Sequence, residues 1–187
     1  QYLGPLTITA LRSLIAFLVL FAVCLLRRKS DRGTRRDIII GSIVCGAALF
    51  AASNMQQLAL NMGASAGKAG FITALYIVLV PIGQVFFKQK ISSRHWLAVA
   101  VAVVGMYFLC ITDGFSISPS DLYLLLCAFL FAVQILAVDR FSARVDGLVL
   151  SCGMFLVVAV LSSLFALPLE TITLGNIAAC IWPLLYI

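Results

Sequence analysis

The sequence predicts an all-α fold, a polytopic membrane protein with about six full transmembrane helices and part of a seventh, and three observations predict it. The first is composition: 63% of the 187 residues are hydrophobic and 11% charged, where a soluble domain carries about a quarter charged. The second is spacing. Apolar runs recur that are long enough to cross the ~30 Å hydrocarbon core as helices, which takes about 20 residues each. The third is the placement of charge. Six Lys or Arg lie in 27–37, three in 88–94 and two in 139–147, while the intervening connections 61–64, 112–119 and 168–176 hold none. Basic connections stay on the cytoplasmic side, so 27–37, 88–94 and 139–147 are expected in the cytoplasm and the other three outside. The net charge of +6 thus follows topology and does not describe a nucleic-acid surface.

The elements follow in order. The first span is expected at 6–26 and carries Arg12. The loop RRKSDRGTRRD leads to a second span at 38–60, and a short turn leads to a third at 65–87. Pro81 inside the third span removes a helical donor and predicts a kink or loosening there. A fourth span is expected at 95–111, with His95 and Trp96 at its interfacial start. Ser118, Pro119 and Asp121 have the order of a helix start, a cap followed by a first-turn proline and an acid, and open a fifth span at 120–138. A sixth is expected at 148–167, and a seventh begins near 177. The chain starts at Gln1 and stops within that last apolar run, so it is expected to be an internal piece of a longer protein.

Small residues predict close helix contacts: Gly41, Cys45, Ala48 and Ala52 in the second span, and Gly63, Gly67, Gly70 and Ala74 along one stripe of the third. The opposite stripe of the third carries Ser65, Lys68, Ile72 and Tyr76. The six cysteines share no metal-like spacing and read as small buried hydrophobes. No metal or cofactor is expected.

Arg12 and Lys68 depart from the loop pattern. A cation at mid-membrane costs about 2.5–3.5 kcal/mol, and no Asp or Glu falls well inside a span to offset it. Arg12 lies about 9 Å and Lys68 about 5 Å below the outer ends of their spans, at 1.5 Å per residue. Asn54, Gln57 and Asn61 form a stripe in the outer half of the second span, with Gln56 pointing elsewhere as a helix contact. Thr73 and Tyr76 extend this polar layer inward, and Gln134 adds an amide from the fifth span. The expected lining of a solute cavity is therefore Arg12, Asn54, Gln57, Ser65, Lys68, Thr73, Tyr76 and Gln134, with the two cations drawing in anionic groups. Snorkelling to headgroups and amide bonds between helices are the plainer reading of the same residues.

The stretch NMQQLALNMGASAGKAGFITALYIVLVP resembles the helix signature of the drug/metabolite transporter superfamily, EamA type: Ala59-Leu60, then Ser65-Ala66, then Tyr76 and Pro81. The first span, ALRSLIAFLVLF, and the basic loop after it are similar to the family's second helix. The resemblance implies ten helices in two inverted repeats, of which residues 1–115 would be most of the first, lacking its first helix, and 116–187 the truncated start of the second. Phe87-Lys88-Gln89-Lys90 stands where the family often has a Gly-Glu-Arg-like turn, which leaves the subfamily open. The implied function is a secondary transporter of a bacterial inner membrane that exports or exchanges a small amino-acid-like or drug-like metabolite by alternating access. Its partners are the solute and the lipid bilayer. A sugar-phosphate or nucleotide-sugar carrier of the same superfamily, or a non-transporting scaffold, is the alternative. An intramembrane enzyme would need a nucleophile and base at depth, and the single histidine, His95, lies at a boundary.

Overall fold

The computed structural model describes residues 4–27, 33–86, 93–110 and 118–169. They form seven helices: α1 Pro5–Leu26, α2 Arg35–Asn61, α3 Ala66–Thr73, α4 Tyr76–Phe86, α5 Ser93–Cys110, α6 Pro119–Ser142 and α7 Gly147–Leu169. There is no strand among the described residues. Among the described residues, five segments are long and apolar enough to cross a membrane: Leu6–Leu26, Arg35–Asn61, Ala66–Phe86, Pro119–Ser142 and Gly147–Pro168. The chain is a polytopic α-helical membrane protein. The fourth expected span corresponds to α5, and the seventh lies outside the described residues.

Two boundaries differ from the sequence expectation. Helix α2 begins at Arg35 and α6 continues to Ser142, so several charged residues assigned to loops are helical. A helix can project beyond the hydrocarbon into the headgroup layer, and hydropathy marks only the buried length. The third expected span is two helices, with a turn at Ala74 and Leu75.

The chain divides into two compact units, Gln1–Phe50 with Ala137–Ile187, and Ala51–Leu136. In the first, α1 packs on α7, and the start of α2 lies against α7 along a seam of small residues. A Cβ at Gly46 would sit 2.7 Å from Val157 Cβ and 2.9 Å from the Met154 carbonyl oxygen. Gly153 faces Ser42 just as closely, and Cys45 is fully buried. This is the close backbone approach that membrane helices use in place of a hydrophobic driving force. Phe50 and Phe165 stack with centroids 5.7 Å apart. Asp146 caps α7 by accepting from the Leu148 amide at 2.9 Å. Gly33 adopts φ +107° and lies against the Arg144 carbonyl and Val145, so the residues just before α2 and just after α6 meet at one end of this unit.

The second unit is built where α2, α3 and α6 converge. Ala59, Ala69 and Leu124 are its buried centre, flanked by Leu60, Ala64, Ile72 and Tyr123. Helix α2 ends in a Schellman motif: the Ala64 amide donates to Ala59 and the Gly63 amide to Leu60, at 3.2 and 3.0 Å. Gly63 takes φ +91° there, which only glycine adopts without penalty. Ser65 then caps α3, accepting from the Lys68 amide at 3.2 Å. The chain thus reverses in four residues, and α3 returns beside α2. The α3 faces differ from expectation. Gly67 and Gly70 are exposed, and a Cβ at Gly70 would meet nothing within 4 Å. The packed residues are Ala69, Ile72 and Thr73, because the partners that satisfy Lys68 and Thr73 lie on that side.

Candidate functional site

The polar groups of the second unit line up along α6. At its start, Pro119 occupies the first helical position and the Ser118 amide donates to Asp121 Oδ2 at 2.9 Å. This is one half of a capping box with Asp in the acid's place. Ser118 and Ser120 hydroxyls bond each other at 2.9 Å. The same Asp121 Oδ2 accepts from Lys68 Nζ at 2.9 Å. Lys68 therefore has a carboxylate partner, one that stands in the first turn of a helix and not well inside a span. Asp121 was legible as a helix-start acid, and its second role was missed. The signal was available: Lys68 and Asp121 each stand three residues past a serine cap, after turns assigned to the same side of the membrane.

Lys68 and Asp121 side chains are 25% and 14% exposed, so the pair is neither sealed nor free in water. Such partly solvated pairs contribute about 1 kcal/mol. Asp121 Oδ1 is buried and takes no hydrogen bond.

One helical turn and a half farther along, Thr73 is buried at the end of α3. Gln56 Nε2 donates to its hydroxyl over a long 3.4 Å, and Cys127 Sγ lies 3.9 Å away. Gln56, expected to be a helix contact only, thus reaches a predicted site residue. Beyond Thr73 comes the helix break. The amides of Leu75, Ile77 and Val78 donate three residues back, to Ile72, Ala74 and Leu75, at 3.2, 2.9 and 2.9 Å, a 3₁₀-like stretch. Pro81 continues inside α4, so the break stands one turn or more ahead of the proline expected to cause it. Tyr76 opens α4 with its ring tilted 51° against Phe131, centroids 6.1 Å apart.

Of the residues the sequence singled out, the structure brings Ser65, Lys68, Thr73 and Tyr76 onto this α3–α4 edge beside α6. Asn54, Gln57 and Gln134 are half-buried in the same unit. Arg12 belongs to the other unit, where its side chain is exposed on α1 between the buried Thr9 and Ser13. Sequence reasoning left out Asp121, Cys127 and Phe131, which share the inward face of α6 with Leu124 and Ala128.

Chemically, the arrangement offers an ion pair at one end, a hydroxyl with an amide and a thiol below it, and an aromatic ring next to a helix break. Such groups can hydrogen-bond a polar solute or one another.

Residues 1–111 match the model of the EamA-like transporter family. An uncharacterized transporter of Archaeoglobus fulgidus is 33% identical over 122 residues, 65% of this chain and 39% of its own length. One solved crystal structure superposes with a TM-score of 0.74 at 24% identity, covering 91% of this chain and 60% of its own; that likeness concerns the fold alone. The chain thus spans about two-fifths of the curated relative and three-fifths of the solved structure.

Proposed function

This chain belongs to the EamA-like transporter family, and from that premise we propose that it is part of a secondary carrier that exports or exchanges a small metabolite by alternating access. The observation that carries the reading is the polar edge of α3 and α4 at membrane depth, broken between Thr73 and Tyr76. Interrupted helices with polar side chains at the break are how many carriers hold a solute near the bilayer centre, and such groups persist in a membrane only where they face protein or water. Lys68, Thr73 and Tyr76 are the principal solute contacts, with Ser65, Asn54, Gln57 and Gln134 lining the approach. Arg12, exposed on α1, draws anionic groups toward the membrane.

The solute is small, carries an anionic group and is amino-acid-like. The pairing of Lys68 with Asp121 favours this over a sugar phosphate or nucleotide sugar: one lysine beside a carboxylate balances at most a single negative charge, and a multiply charged phosphate would be repelled by Asp121. The carrier sits in a bacterial inner membrane with 27–37, 88–94 and 139–147 in the cytoplasm, as the basic residues direct. Residues 1–115 form most of one inverted repeat and 116–187 open the next. It is a carrier and not an enzyme.

The test is solute efflux from membrane vesicles containing the whole carrier, screened over amino acids and related metabolites. Lys68→Gln and Thr73→Val are expected to cut the rate at least about tenfold, the loss of one hydrogen-bonded contact worth 1.4 kcal/mol or more. Unchanged rates in both variants would remove the basis of the reading.

A further inference from the structure

The geometry points to Lys68 and Asp121 as a breakable closure at one end of the second unit, in which Asp121 holds Lys68 until the anionic group of the solute takes its place. The inference rests on the carrier reading and adds to it a residue, Asp121, that acts by positioning Lys68 and by joining α6 to α3.

Four observations carry it. The ion pair ties the first turn of α3 to the first turn of α6, two helices that otherwise meet here through Ala69 and Leu124. Both side chains remain partly exposed, at 25% and 14%, so an anion in water can reach the ammonium. Asp121 Oδ2 also accepts the Ser118 amide, so releasing Lys68 leaves the helix cap in place and α6 still begins at Pro119. Below the pair, Cys127 is fully buried and lies 3.9 Å from Thr73. Separation of the two first turns would open a way from the end of the unit to these groups. The closure is therefore weak enough to exchange partners, does not start either helix, and stands over the proposed solute contacts.

Cys127 supplies the readout. The whole carrier, with Cys127 as its sole thiol, is treated in vesicles of both orientations with a membrane-impermeant maleimide. Lys68→Gln and Asp121→Asn are each expected to raise the labelling rate about fivefold or more from one side of the membrane. Asparagine still accepts the Ser118 amide, so the cap survives. The double variant should label no faster than the faster single one, since both remove the same bond. Lys68→Arg should stay near the parental rate. A companion protein with only Cys45, fully buried in the first unit, should remain unreactive throughout. Labelling of Cys127 unchanged in both single variants, equally fast in Lys68→Arg and Lys68→Gln, or accompanied by labelling of Cys45, would overturn the closure. The readout needs no solute, so its failure is distinct from a failure of transport.

Discussion

Gly63 and Gly46 show how one residue type serves two different physical needs. At Gly63 a Cβ would meet nothing within 4 Å, but φ is +91°. Gly63→Ala should therefore lose about 1–2 kcal/mol from the left-handed backbone alone. At Gly46 the backbone is ordinary helix and the space is missing, with Val157 and the Met154 carbonyl in the way. Gly46→Ala should cost about 1–3 kcal/mol by overpacking. Gly105, with open space around it and no unusual φ, is the control, and its alanine variant should be neutral or slightly stabilising. Thermal unfolding in detergent ranks the three. At this scale the sequence disclosed which residues were out of place in a membrane, Lys68 above all, but not what they meet. Asp121 was hidden because it lies 53 positions away and because its local role as a first-turn acid already accounted for it. Gln56 was set aside on helical periodicity, yet its long side chain reaches Thr73; periodicity fixes where a Cβ points and not how far a flexible amide extends.

The elements were more legible than the contacts between them, because a span's length and hydropathy are properties of the chain alone. The Ser118-Pro119-Asp121 start of α6 was readable residue by residue. The break in the third span was not. Ala74 and Leu75 are strong helix formers, so nothing local asks for a turn there. The side chains on either side are held instead by other helices, Thr73 by Gln56 and Cys127 and Tyr76 by Phe131. Pro81 was the local signal, and it sits inside α4. It follows that Pro81→Ala should leave the break where it is. Spin labels at the exposed positions 67 and 85 would keep their separation in that variant. A lengthening toward a straight helix would show that the proline, and not the anchoring, makes the break.

At the scale of the whole molecule, charge placement carried most of the information. It predicted which connections share a side. Within the first unit Gly33 lies against Arg144, and within the second Lys68 and Asp121 join the first turns of α3 and α6; the side of the membrane each faces is for labelling to decide. Cysteines placed at Arg36 and Arg144 should accordingly label from one side of a sealed vesicle and one at Asn61 from the other; labelling of all three from the same side would contradict the topology. The family resemblance is readable in a short apolar signature, which is why it points to the family and leaves the solute to experiment.

The most direct measurement is a structure of the full-length protein in a bilayer with a candidate metabolite bound. Solute density is expected against Thr73 and Tyr76, with its anionic group within hydrogen-bond distance of Lys68. Lys68 and Thr73 turned toward lipid, with the solute held elsewhere, would contradict it.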